Sequence, residues 1–102
     1  MNDPILVAKK LESLIDLARL ADSEFEKAAV FAATESLVRK FQDEEDEFDS
    51  YALEKVSQIR WGVAAALGYD IDNGHPKDHH IVSAMSAAST LLDVLKRASN
   101  VS

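Results

Sequence analysis

The chain has 102 residues, of which 47% are apolar and 28% are charged. This length and composition predict one globular domain over residues 1–102 and exclude a chain that is disordered throughout. Eighteen Asp and Glu residues against eleven Lys and Arg residues give a net charge of −7, which repels phosphate backbones and argues against direct nucleic-acid binding.

The first predicted helix starts with Asp3 as its N-cap and Pro4 as its first helical residue. A carboxylate accepts one of the free N–H groups at a helix start, and proline has no N–H to leave unpaired. Apolar residues then recur at spacings of three and four to about residue 21, which predicts an amphipathic helix. Ser23 and Glu26 match a capping box, which predicts a second helix; one kinked helix through both segments is the alternative.

The second helix is predicted to end near Phe41, and its centre, AAVFAA, is apolar all round. The acidic run QDEEDEFDS follows, and we expect it to form partly a loop and partly the first turn of the third helix. Gly68 suits the left-handed position just past the end of that helix, and Tyr69 is expected to pack back on it. Pro76 is the predicted first residue of the fourth helix, which has Arg97 in its last turn.

Four helices of similar length with short connections predict an all-α fold, an antiparallel up-down four-helix bundle. The segment WGVAAAL of the third helix is apolar all round, so it needs cover on more than one side. We therefore expect a homo-oligomer, most simply a homodimer, that forms through the Ala-rich faces. The alternative is that the third helix is the most buried helix of a monomer.

All three histidines, His75, His79 and His80, lie within one short stretch. With Asp72 they form a candidate transition-metal set, because imidazole and carboxylate groups are common metal ligands. Their spacing differs from the HExxH and ExxH patterns, and an EF-hand loop would need a Glu where Ile81 stands. The alternative is a plain connection between helices with solvated histidines.

The acidic run contains Glu44, Glu45 and Glu47. All-α nucleotide pyrophosphohydrolases bind magnesium with an EExxE pattern, but Phe48 stands here in the place of the third Glu, and no later ExxD follows. The run therefore predicts either a solvated helix start or a docking patch for a basic partner. Trp61 projects away from the apolar face of its helix, and an exposed Trp61 would be a contact anchor for a partner. A buried Trp61 would instead pack against the second or the fourth helix.

Taken together, these patterns favour a non-enzymatic protein that binds another protein, as an adaptor, an immunity or inhibitor protein, or a regulatory subunit. No cofactor is expected, since the sequence has neither a nucleophile motif nor a Gly-rich phosphate loop. The rival hypothesis is a metal-dependent enzyme or carrier that uses the loop 70–80 or the acidic start of the third helix.

Two further alternatives are an acidic decoy for a nucleic-acid-binding protein and a histidine phosphotransfer bundle. The phosphotransfer family usually has a Lys and a Gly soon after its histidine, whereas Ile81 and Val82 follow His80. The N-terminal residues resemble neither a signal peptide nor a membrane span, and the chain has no cysteine. We therefore expect a cytoplasmic protein without a membrane partner.

Overall fold

The structure, a computed structural model, describes residues 3–69 and 74–100. Within these ranges it has four α-helices, one short 3-10 helix and no strand, which confirms an all-α four-helix bundle. In chain order the elements are α1 Pro4–Leu20, α2 Glu24–Asp43, the 3-10 helix Glu45–Glu47, α3 Ser50–Ala66 and α4 Lys77–Asn100.

The first two helices start with the predicted caps. The Asp3 carboxylate accepts a hydrogen bond from the backbone N–H of Leu6 at 3.1 Å. Ser23 Oγ accepts from the backbone N–H of Glu26 at 3.0 Å, and the Glu26 carboxylate accepts from the backbone N–H of Ser23 at 3.4 Å, which completes the capping box. Ala21 between them has extended backbone angles, so α1 and α2 are separate helices.

The end of α3 is a Schellman motif around Gly68, whose φ is +85°. The backbone N–H of Gly68 donates to Ala65 O at 3.1 Å, and that of Tyr69 donates to Ala64 O at 2.8 Å. The Tyr69 ring lies 5.0 Å from the Phe31 ring of α2, centroid to centroid. The predicted cap is therefore confirmed, and it joins the end of α3 to α2.

The acidic run differs from the prediction, because none of its carboxylates lies in the first turn of α3. Asp43 ends α2, Glu45–Glu47 form the 3-10 helix, and Asp49 is the N-cap of α3, accepting from the backbone N–H of Ala52 at 2.8 Å. The Asp49 cap forces a start at Ser50, since the N-cap residue itself lies outside the helix. The rival hypothesis of an acidic start of α3 is thus left with a single capping carboxylate.

The four helices pack in a cycle in which α1 and α3 each contact both α2 and α4. The contacts between neighbours agree with the antiparallel order. Lys77 Nζ at the start of α4 donates to Ala21 O at the end of α1 at 3.2 Å, and the rings of Phe41 and Phe48 lie 5.0 Å apart between α2 and α3. The largest fully buried apolar side chains are Phe41, Leu11, Ile15, Ile59 and Leu91.

The apolar segment of α3 is covered within one chain. All residues from Gly62 to Leu67 are buried, and Trp61 is half-buried. The segment therefore needs no second copy to cover it, and both the homo-oligomer and the monomer stay predictions. Among the described helices, none combines the length and apolar character that crossing a bilayer requires.

Candidate functional site

The three histidines lie together where α4 starts. His75 precedes the helix, and His79 and His80 lie in its first turn. The ring centroids of His75 and His79 are 4.1 Å apart with the planes at 23°, so these two rings stack. The predicted proximity of the imidazoles is found, whereas Asp72, the remaining member of the predicted metal set, lies outside the described residues.

His80 differs from the other two histidines in its burial. It is completely buried, whereas His75 and His79 are exposed. Its ring is nearly perpendicular to that of His79, at 81°, and lies 5.5 Å away. Within the described part of the chain, no group of three or more His, Cys, Asp or Glu side chains is arranged to hold a metal ion.

Trp61 packs against His80 across the interface of α3 and α4. The two ring centroids are 5.2 Å apart and the planes are at 81°, an edge-to-face arrangement. Aromatic pairs in such a geometry stabilise a core by about 0.5–1.5 kcal/mol beyond the area they bury. The contact gives both side chains a packing role, and the use of Trp61 as a contact anchor for a partner stays a prediction.

The acidic candidates Glu44, Glu45 and Glu47 lie at the C-terminal end of α2 and directly after it. Glu44 is half-buried and ends α2 as its C-cap, while Glu45 and Glu47 are exposed on the 3-10 helix. A helix of three residues has no second turn, so it cannot present carboxylates at a spacing of three or four residues on one face. A docking patch for a basic partner stays the prediction for these residues.

An exposed apolar surface lies along α1 and α2, on the side away from the core. Its most exposed large side chains are Phe25, 84% exposed, Leu20, 61% exposed, and Leu17, 51% exposed. A recess of about 260 Å³ lies among them. Its walls are formed by Leu17, Leu20, Ala21, Phe25, Glu26, Ala29 and Val30.

A second recess, of about 400 Å³, continues the same groove between α1 and α2. It is formed by Lys10, Ser13, Leu14, Ala33, Ser36 and Leu37. We call the residues of both recesses the α1/α2 surface. The groove is mostly apolar, with Lys10 and Glu26 as its charged members, so it offers shape and apolar area to a partner.

The α1/α2 surface is most exposed beside the N-terminal half of α2, because only the C-terminal half has fully buried residues. The buried residues of α2 are Thr34, Val38 and Phe41, and no residue of the range 24–33 is buried. The N-terminal half contacts α3 through Phe31, whose ring meets Tyr69, and leaves its alanines toward solvent. Apolar surface that a bundle would normally cover thus stays exposed.

Polar side chains accompany the apolar ones: Lys10, Ser13 and Ser36 line the larger recess, and Glu26 lines the smaller one. Arg19 and Asp16 of α1 form an ion pair at 3.0 Å, and Lys27 and Glu24 of α2 form another at 3.5 Å. Asp22, between the two helices, is exposed. An apolar centre with a polar rim is the usual composition of a protein–protein interface.

Sequence reasoning did not identify the α1/α2 surface. Phe25 lies inside the capping-box motif, where its neighbours indicate a helix start and not an exposed aromatic ring. AAVFAA of α2 and WGVAAAL of α3 are both apolar all round, and periodicity alone cannot tell which of the two remains uncovered. The only signal for an exposed apolar surface in the sequence is that AAVFAA and WGVAAAL both lack a polar face.

The described residues thus contain two clusters of different chemistry. One is the group of imidazoles at the start of α4, and the other is the apolar α1/α2 surface. Comparison of the chain with protein-family models, with curated proteins and with solved structures found no match.

Proposed function

We propose that the protein acts without catalysis, by binding a protein partner through the α1/α2 surface. The observation that carries the proposal is Phe25, a large aromatic side chain that is 84% exposed on a helix. Burying such a side chain in an interface stabilises a complex by roughly 1.5–3 kcal/mol, and few surface positions offer as much. Roles of this kind are those of an adaptor, an immunity or inhibitor protein, or a regulatory subunit.

The composition of the surface supports the same proposal. Leu17 and Leu20 extend the apolar area beside Phe25, and Lys10 and Glu26 add charged groups to the recesses. The net charge of −7 disfavours nucleic acid. We also propose a cytoplasmic location, since a chain without cysteine suits a reducing compartment.

The test is photo-crosslinking of the full chain in the cells that make it. A photoreactive phenylalanine analogue replaces Phe25, and a second variant carries it at Val82, which is 67% exposed on α4 and serves as the matched control. We expect discrete protein adducts from position 25 and none from position 82. Equal adducts from both positions, or none from position 25, would contradict the proposal.

A second candidate function is a metal-dependent carrier or enzyme, favoured by the stacked rings of His75 and His79 at 4.1 Å. Two imidazoles this close can share a divalent transition metal after small rotations, with further ligands still required. The test is the metal content of protein purified after zinc-rich expression. Stoichiometric zinc that is lost in His75→Ala and His79→Ala variants would support this candidate, and zinc-free protein would exclude it.

A further inference from the structure

We propose that a second copy of this chain occupies the α1/α2 surface. The two copies dock about a two-fold axis, and α2 of each copy packs antiparallel to α2 of the other. The inference rests on the proposed function, because it names the partner of the same surface. The observation that supports the inference is that one face has both a protruding aromatic side chain and a recess able to receive one.

The protruding group is Phe25, which is 84% exposed. The receiving site is the recess of about 400 Å³ that Leu14, Ala33 and Leu37 line together with Ser36. Phe25 and Ser36 are three helical turns apart, so they lie within about 20° of the same face of α2 and about 16 Å apart along it. The benzyl group is smaller than the recess and matches its apolar walls.

A two-fold axis lets each copy insert its Phe25 into the other copy and receive the other Phe25 in its own recess. In a two-fold interface each contact occurs twice, so Phe25 of each copy enters the recess of the other. The offset of about 16 Å between Phe25 and the recess places the axis midway between Phe25 and Ser36, close to Ala29 and Ala32. Both alanines are exposed. Small side chains at the crossing let helix axes approach to about 8 Å, the separation that brings Phe25 to the floor of the recess.

The charges select the antiparallel direction. Glu24 and Glu26 flank Phe25 in the sequence, while Lys10 lines the recess and Lys40 is exposed one helical turn beyond it. Antiparallel docking brings the carboxylates of one copy to the ammonium groups of the other. Parallel docking would place like charges together, which is unfavourable.

The face has the size of a weak dimer interface. Helices of 17 and 20 residues form it. At 1.5 Å per residue and an interaxial distance near 8–10 Å, it extends about 25 Å by about 18 Å. Its projected area is therefore about 450 Å² per partner, below the roughly 800 Å² of a standard interface, which suits a weak dimer.

Sedimentation velocity of the purified full chain, from about 1 µM to about 1 mM, tests whether the second copy binds. We expect a monomer–dimer equilibrium within this range. Phe25→Ala should raise the dissociation constant by at least about 100-fold, because two anchors are lost per dimer. Val82→Ala, which removes exposed apolar area from α4, should leave the constant unchanged. Circular dichroism verifies that both variants fold.

Cysteine crosslinking tests the direction, and the chain has no native cysteine to interfere. In the proposed dimer the two copies of position 32 are separated by about 5 Å along the helix axis, and those of position 40 by about 28 Å. Ala32→Cys chains should therefore link under mild oxidation, whereas Lys40→Cys chains should not. The reverse pattern, or a dimer that Phe25→Ala leaves intact, would overturn the inference.

The two proposals fail separately. A chain that stays monomeric to about 1 mM, yet forms adducts with a different protein from position 25, would overturn the second copy as occupant and leave the proposed function standing. A monomer with no adduct from position 25 would overturn both. An adduct of twice the subunit mass, together with the dimer in purified protein, would support both.

Discussion

Gly62 of α3 lies directly against Ala84 of α4. A Cβ atom added to Gly62 would be 2.8 Å from Ala84 Cβ and 3.1 Å from the backbone oxygen of His80. The first distance is shorter than any ordinary contact between carbon atoms. The absence of a side chain at position 62 is therefore what lets the two helices approach, and the buried cores of both helices depend on that approach.

Gly62→Ala should destabilise the protein. The overpacked interface costs about 1–3 kcal/mol, which exceeds the gain of about 1 kcal/mol in helix propensity. Urea denaturation measures the free energy of unfolding. Ala84→Gly in the same chain opens the contact again, so the double variant should be more stable than the sum of the two single changes predicts. A Gly62→Ala variant more stable than the parent chain would contradict the close approach.

Gly68→Ala should destabilise the protein by about 1–2 kcal/mol for a different reason. The added Cβ meets no atom within 4 Å, but the residue has φ +85°, which side-chain-bearing residues adopt at a cost. Gly68→Asn is the matched control and should cost less, because asparagine tolerates the left-handed region. Thermal unfolding of the two variants checks the order. Equal melting temperatures for Ala and Asn would contradict the cap.

Substitution of the histidines should separate packing from metal binding. His80→Ala removes a completely buried ring that packs on Trp61, so we expect a loss of about 2–4 kcal/mol. His79→Ala removes an exposed ring and should change stability by less than about 0.5 kcal/mol. Chemical denaturation with and without zinc gives the measurement. A zinc-dependent stability that disappears in His79→Ala would contradict a purely structural role.

The ion pair between Arg60 of α3 and Glu35 of α2 should stabilise the packing of α2 against α3. The side chains are 39% and 28% exposed, and the Arg60 guanidinium also lies 5.8 Å from the Phe31 ring. Glu35→Gln should therefore cost about 0.5–1 kcal/mol at low salt, and less at about 1 M salt, which screens the pair.

Asp16→Asn is the control for the ion pair. It breaks the bond to Arg19, which lies within one helix and has its side chains 58% and 50% exposed. The expected change in the free energy of unfolding is no more than about 0.5 kcal/mol. A larger effect from Asp16→Asn than from Glu35→Gln would contradict the assignment.

The helix caps could be predicted from the sequence because capping is a local interaction. Asp3, the Ser23 and Glu26 box, and Gly68 each depend on residues within five positions, and all three appear in the structure as expected. The acidic run was harder to predict. Carboxylates favour both a helix start and a turn, and only the Asp49 cap decides where α3 begins.

The exposed surface could not be predicted, because exposure depends on where other helices lie. WGVAAAL and AAVFAA are both apolar all round. α4 packs closely on WGVAAAL at Gly62, whereas no residue in the N-terminal half of α2 is buried. The expectation of a self-associating protein remains a proposal. The surface proposed for it is the α1/α2 groove with Phe25, and not α3.

The most direct test of this account is an isotope-filtered NOE measurement on a mixture of labelled and unlabelled chains at about 1 mM. It detects only contacts between copies. We expect cross-peaks from the Phe25 ring of one copy to the methyl groups of Leu14 and Leu37 of the other. Contacts between copies that involve Val82 and spare Phe25, or no such contacts at all, would contradict the claim that the α1/α2 surface binds a second copy.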